Sequence, residues 1–369
     1  MLTKLELKNF KCFEDESFGF RALTMLTGLN STGKSTVLQA MLLLRQSHED
    51  RILHSEGITL DGPLVQLGTA RDVLFEGAKD ENIVFGLKWE SGAESTFSFG
   101  YDQGSDVLSS TKLEISGSMA DQSLFNDRFH YIEAERIGPR TAFDMSEFDV
   151  HRHRQLGTSG EYTAHFMALF GDAIMVEKPM HHETGRTATL RDEVEAWMSE
   201  ISPGLRLHFK THRSMDLVNM GISFASTGSV STNEYRPGNV GFGITYTLPV
   251  VVSLLSSAPG DLVFLENPEA HLHPRAQSKI GELIARAAAS GVQVIFETHS
   301  DHVLNGIRIA IKGGILKSEG ATILFFDRGN VEDFKGTRVT SLTIDSNGRI
   351  DDWPSGFFDE FEKSIERLI

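Results

Sequence analysis

Residues 22–45 read ALTMLTGLNSTGKSTVLQAMLLLR. The run from Ala22 to Thr27 is apolar and strand-like, and Val37–Arg45 is rich in good helix formers. Between them Gly28–Ser35 matches G-x-x-x-x-G-K-[ST], in the strand–loop–helix context this motif requires. The glycines let the backbone bend so that N–H groups, including those of Asn30, Ser31, Thr32 and Gly33, turn inward toward phosphate oxygens. The helix that follows adds the positive end of its dipole. Lys34 brings a full charge to the β- and γ-phosphates, Ser35 offers a hydroxyl to Mg²⁺, and Thr36 supplies another near the α-phosphate. The expected ligands are therefore ATP and Mg²⁺.

Outward from this loop, the 369-residue chain is 40% hydrophobic and 23% charged, ordinary globular values. A net charge of −16 excludes a wholly basic nucleic-acid wrapper. It leaves open a local nucleic-acid patch, or a basic protein partner. No apolar run approaches the roughly 18 residues of a membrane span, so no membrane is expected. The amino terminus, MLTKLELKNFKCF, alternates as a strand does and lacks the form of a signal peptide. One cysteine, Cys12, cannot pair within the chain, which suits a reducing compartment. The expected location is the cytoplasm.

Leu2–Phe10 alternates as a strand. The runs NIVFGLKW, STFSFGY and TKLEIS, between about Glu81 and Ser116, predict an antiparallel meander. His130–Glu135 reads as a further strand. Helical patterns dominate from Gly160 to Ser202 and end at Pro203-Gly204. In the last third, apolar helical stretches at Gly243–Ser256, Pro274–Ala289 and His302–Lys312 alternate with buried-type strands at Asp261–Leu265, Val292–Glu297 and Ala321–Asp327. Such alternation predicts an α/β fold with a mainly parallel core sheet, carrying the meander and an inserted helical lobe. The expected organisation is one head: residues 1–125, an inserted mainly helical lobe at 126–235, and a third part at 236–369.

The loop alone does not separate kinases, GTPases and motor ATPases. Asp261–Pro274, DLVFLENPEAHLHP, narrows the choice, because an apolar strand there ends in acidic residues followed by His271 and His273. This segment resembles the second motif of the ABC-type heads of RecF, SMC and OLD ATPases, roughly hhhhDEPExHLHP. More narrowly, ENPEAHLHPRAQSKIGELI, ETHSDHVLNGIR and the carboxy-terminal DDWPSGFFDEFEK resemble AAA-annotated bacterial ATPases often linked to phage defence. The resemblance implies that Glu266 stands at the Mg²⁺-organising Asp and Asn267 at the Glu that polarises water. Both are departures. Asn267 cannot accept a proton, which leaves Glu269 nearby, or Glu266 itself, to orient the water. His299, after the strand VQVIF, occupies the position that reaches the γ-phosphate.

In the same families a signature loop from the opposite subunit completes the site. Asn239–Ile244 lies at that place, with Gly241 and Gly243 but without the family's serine. Gln66 stands where a glutamine senses Mg²⁺ and the attacking water. The segment Glu133–Arg140 contains Arg136 and Arg140, which suit phosphate binding or ion pairs. His271-x-His273, His181-His182-Glu183 and His151–Arg154 lack the extra ligands of a recognisable metal site; the last two read as solvated loops, with contact to an acidic partner or a nucleic-acid phosphate as the alternative for His151–Arg154. Trp353, Phe357, Phe358, Phe361, Ile365 and Leu368 form an apolar stripe with core packing as the default and partner docking as the alternative.

The resemblance implies an ATP-hydrolysing head that forms a homodimer around shared ATP sites and controls a separate effector or nuclease, or a nucleic-acid transaction, in anti-phage defence. The chain ends at Ile369 without the Toprim nuclease domain of OLD enzymes, so a nuclease is expected on another polypeptide. Asn267 keeps open an ATP-gated scaffold that hardly turns ATP over. A small-molecule kinase would leave His299 and the glycine loop unexplained.

Overall fold

The computed structural model describes residues 1–225, 232–328 and 337–369. In chain order the strands and helices are β1 (Leu2–Phe10), β2 (Phe13–Gly19), β3 (Leu23–Gly28), α1 (Lys34–Glu49), β4 (Gly57–Thr59), α2 (Ala70–Val73), β5 (Asn82–Trp89), β6 (Glu94–Gly100) and β7 (Val107–Ser116). There follow β8 (Phe129–Ile132), β9 (Phe143–Asp144), α3 (Thr163–Phe170), α4 (Leu190–Ser199), β10 (Leu205–His212), β11 (Leu217–Phe224), α5 (Phe242–Ser256) and β12 (Leu262–Glu266). The chain closes with α6 (Pro274–Ala289), β13 (Gln293–Glu297), α7 (Asp301–Lys312), β14 (Ala321–Asp327), β15 (Arg338–Leu342) and α8 (Glu360–Leu368).

The chain forms two compact units. The first holds residues 1–126, 321–344 and 350–369. Its antiparallel sheet has the order β2-β1-β5-β6-β7-β4, and the meander read at 81–116 is β5, β6 and β7. Alternation puts Leu5, Leu7, Ile83, Phe85, Phe97 and Phe99 inside. In the same unit β14 pairs in parallel with β3 and antiparallel with β15. Strand β3 is buried through Leu23–Thr27, the near-continuous pattern of a strand covered on both faces.

The second unit holds residues 127–320 and 345–349. Strand β12 runs parallel to β8 on one side and to β13 on the other. All three are almost wholly buried. The strand expected at 130–135 ends at Ile132, and Ala134 and Arg136 beyond it face the end of β12. The segment expected to be mainly helical carries α3 and α4, and it also carries the antiparallel set β10-β11-β9. The architecture is mixed α/β, with parallel and antiparallel sheets, as the alternation of elements predicts.

Core packing of the carboxy-terminal stripe is corrected in part. Phe357 is buried, in edge contact with Phe325, Trp353 and Phe358. Phe361, Ile365 and Leu368 on α8 are exposed, and α8 buries no residue. The helical spacing was legible, but spacing does not say whether anything covers the face. Among the described residues no helix is long and apolar enough to cross a membrane.

Candidate nucleotide site

The phosphate loop belongs to the first unit. At its entrance Gly28 has φ +141°, and a Cβ there would lie 2.1 Å from the Phe326 carbonyl oxygen. At its exit Gly33 has φ +95°, and a Cβ would meet Cys12 Sγ at 2.4 Å and the Phe13 ring at 2.9 Å. Only glycine fits either position. Ser31 between them also has a positive φ, 60°. The Thr32 hydroxyl donates to the Leu29 carbonyl at 2.7 Å, fixing the bend.

Helix α1 begins at Lys34. No side chain caps it and no acidic residue lies in its first turn. The helix's own first turn therefore supplies no anion to its amino-terminal dipole. Lys34 is buried, and its ammonium donates to the carbonyls of Gly28 (3.1 Å) and Leu29 (2.7 Å), so the charge sits within the curve of the loop. Arg328 donates to the Ser31 carbonyl at 3.2 Å. Asn30 and Ser31 are exposed, Thr32 and Thr36 are buried, and Ser35 is half-buried at the first turn. Burial raises the Cys12 thiol above its ordinary range, while bonds with Thr337 and Thr36 oppose the shift. These residues fit a polyphosphate: bare backbone where it must approach, uncapped N–H groups and one enclosed cation.

Gln66 lies in the same unit, exposed on the loop at 60–69. That loop is pinned from α1 by buried Gln46, whose Oε1 accepts from the N–H groups of Leu64 (3.3 Å) and Val65 (3.1 Å). Gln46 was not singled out in the sequence, where a glutamine on an apolar helix carries no positional signal.

The carboxylate and imidazole groups belong to the second unit. Glu266 ends β12 and stands in register with Glu297 at the end of β13. Its carboxylate accepts from the Tyr131 hydroxyl at 3.0 Å and from Ala134 N–H at 3.3 Å. Burial raises its carboxyl above the ordinary value, the Tyr131 bond opposes this, and nearby Glu297 adds to it. The Tyr131 phenol is pushed up in turn, by burial first and then by Glu266. Asn267 adopts φ +44°, a region asparagine tolerates better than most residues. Its N–H donates to the Glu297 carbonyl at 2.9 Å.

Glu269 is buried, and one of its oxygens accepts from the His299 N–H at 2.9 Å. It thus ties the loop after β12 to the loop after β13. The His299 ring is part-exposed, with Nε2 3.9 Å from Glu297 Oε1. Buried Arg136 donates to the carbonyls of Glu133 (3.1 Å), Glu266 (2.8 Å) and Asn267 (2.7 Å). Burial brings its guanidinium down to about 10, and neighbouring Glu269, Tyr246 and Glu266 resist the change. Tyr131, Glu297 and the grip of Arg136 on carbonyls are the features that sequence reasoning missed.

Gly241 caps α5 without a side-chain bond, and open space surrounds a Cβ built on it. Gly243 is closed in, since a Cβ there would lie 2.9 Å from the His271 carbonyl oxygen. Both glycines line a cavity of about 550 Å³ with Asn239, Tyr235, His271 and His273. His271 packs edge-on against Phe242 and Tyr246. His273 caps α6, its Nδ1 accepting from Arg275 N–H at 3.4 Å. The expectation of a solvated loop at His181–Glu183 is corrected for His182, whose ring packs on Trp197 and lies 3.4 Å from Glu200. His153 instead sits at the surface, 2.9 Å from Asp127.

Comparison with known proteins bears on this geometry. A family model described as "AAA ATPase domain" matches residues 1–103. One described as "AAA domain, putative AbiEii toxin, Type IV TA system" matches residues 209–305, and "Protein of unknown function (DUF3696)" matches 316–368. Among solved structures, an Smc head bound to the C-winged helix domain of ScpA has a TM-score of 0.50 at 14% identity, over 93% of this chain and 98% of that one. An Smc head with an extended coiled coil, bound to the C-terminal domain of ScpA derived from Pyrococcus furiosus, has a TM-score of 0.50 at 13% identity, over 100% and 99%. No curated protein matches the sequence.

At such identities the likeness establishes the fold, that of an ABC-type ATPase head. AAA-type family models match the two segments that carry the phosphate loop and the Glu266–His299 region.

Proposed function

We propose that this chain binds ATP with Mg²⁺ at Gly28–Thr36 and hydrolyses it slowly. The observation that carries the reading is the uncapped start of α1 behind a loop that encloses the Lys34 ammonium. Asn30, Ser31, Thr32 and Gly33 would present main-chain N–H groups, and Lys34 would neutralise the terminal phosphates. Ser35, Glu266 and Gln66 would hold Mg²⁺, which when bound supplies charge neutralisation on the phosphate oxygens. His299 would contact the γ-phosphate.

Asn267 offers no proton acceptor, and one oxygen of Glu269 is held by the His299 N–H. The attacking water then falls to Glu266 or Glu269, and slow turnover follows from that arrangement. Gly241 and Gly243 would reach the γ-phosphate of an ATP held by a second copy, giving a homodimer with shared sites. The resemblance to defence ATPases, together with a match to a family described with a toxin–antitoxin system, supports control of a separate effector or nuclease in anti-phage defence.

Asn267 favours a second reading, a nucleotide-gated scaffold. Steady-state hydrolysis with Mg²⁺, beside binding of a fluorescent ATP analogue, separates the two, with Lys34→Ala as the blank. Turnover that disappears in the blank supports the enzyme. Binding without turnover supports the scaffold, and neither binding nor turnover overturns both.

A further inference from the structure

Strand β8 stops one residue short of the end of β12. Its last partner is Ile132, opposite Leu265, so beyond that point the carbonyls of Glu266 and Asn267 have no β8 strand to pair with. The guanidinium of Arg136, four residues further along, occupies the place where the strand would have continued. Nη1 donates to the Glu266 carbonyl at 2.8 Å and Nη2 to the Asn267 carbonyl at 2.7 Å. Nη1 also donates to the Glu133 carbonyl at 3.1 Å, which closes the Arg136 turn on itself. The Asn267 carbonyl accepts as well from Ala270 N–H at 3.0 Å, so the left-handed Asn267 is held from both sides.

An arginine at the surface would pair with carboxylates. This one is 3% exposed and its cation is used on main-chain oxygens. A planar fork bridges two successive carbonyls from two nitrogens at a fixed spacing, whereas an ammonium must reach both from one nitrogen on a flexible stem. The Tyr246 ring of α5 lies 5.4 Å from the guanidinium carbon and backs the fork. Tyr246 also contacts Phe242 and His271, so the glycine loop before α5 and the turn after β12 share one fixed point.

We propose that Arg136 is a positioning residue: its fork substitutes for the missing strand, fixes the backbone that presents Glu266 and Asn267, and joins it through Tyr246 to the start of α5. The consequence for turnover rests on the ATPase reading; the clamp itself does not.

The test compares wild type with Arg136→Lys, which keeps charge and loses the fork, and with Tyr246→Leu. Amide hydrogen exchange is read first, on the nucleotide-free protein. Exchange across residues 266–271 is expected to rise by about tenfold in Arg136→Lys and less in Tyr246→Leu, with β10 and β11 unchanged. The double variant should match Arg136→Lys alone, because Tyr246 acts through Arg136. In the hydrolysis assay kcat is expected to fall by roughly 10- to 100-fold with the Kd for ATP within about threefold.

Wild-type exchange in Arg136→Lys would overturn the clamp. So would a uniform rise over the whole second unit, or additive effects in the double variant. If wild type hydrolyses no ATP, the enzyme reading fails and exchange still decides the clamp. If Arg136→Lys does not fold, Tyr246→Leu provides the decision: protection at 266–271 equal to wild type would overturn the proposal.

Discussion

Gly33→Ala sets two terms of the phosphate loop against each other. The residue has φ +95°, and forcing an alanine into left-handed space costs about 1–2 kcal/mol. Its methyl would lie 2.4 Å from Cys12 Sγ and 2.9 Å from Phe13 Cζ, against the roughly 3.5–4.0 Å of an unstrained contact. Overpacking of this kind adds about 1–3 kcal/mol. Cys12 does not swing aside freely, because its thiol is bonded to Thr36 and Thr337. The sum is about 2–5 kcal/mol, or roughly 30- to 5,000-fold in an equilibrium constant. If the loop stays rigid, the cost appears in urea unfolding. If it relaxes locally, the cost appears in the Kd of a fluorescent ATP analogue. Measuring both captures the total. Cys12→Ala removes the nearer clash and leaves the φ strain and the Phe13 contact, so in that background the total should fall by about 1–2 kcal/mol without vanishing. An equal penalty with and without the Cys12 sulfur would refute the steric part. Normal stability and normal nucleotide affinity in Gly33→Ala would refute the assignment of this loop.

Lys34→Ala should weaken nucleotide binding by about 100-fold or more, since an enclosed charge-assisted contact is lost; isothermal titration that finds near-normal affinity contradicts it. Glu266→Gln should change the pH dependence of stability in EDTA without nucleotide. Burial holds the folded carboxyl above the ordinary 4.5, so the folded state binds its proton more tightly than the unfolded state does. Wild type therefore loses stability as pH rises from 4.5 toward the raised folded value, and glutamine does not. The variant's advantage in urea midpoint should grow through that window and then level off, and a pH-independent difference counts against it. Phe357→Ala should cost about 3–5 kcal/mol, whereas Phe361→Ser and Leu368→Ser on α8 should stay within about 0.5 kcal/mol. Unfolding curves that show equal losses at the three positions contradict the exposure of α8.

The phosphate loop was legible because its demands are local. Glycines at 28 and 33 are required by the positive φ of the loop itself, and the helix that follows announces itself by composition. The buried strands β3, β12, β13 and β14 were legible for a related reason, since strands covered on both faces read as continuous apolar runs. Strand β2, FEDESFG, was not read, because charges on an edge strand hide the apolar alternation.

The Glu266–His299 region of the second unit depends on pairs far apart in the chain. Tyr131 and Glu266 meet across β8 and β12, and His299 is held through its main chain by Glu269. No periodicity in the sequence encodes such pairs. The departures at 266 and 267 were visible as letters, but their surroundings were not. A shortened β8 leaves two carbonyls to Arg136, and the asparagine sits in a left-handed turn that its residue type tolerates. Position 267 is thus constrained by its backbone as well as by chemistry. Glutamate there would meet a left-handed backbone, φ +44°, that strains it more than it strains asparagine. For that reason the asparagine is best read together with the Arg136 contacts around it.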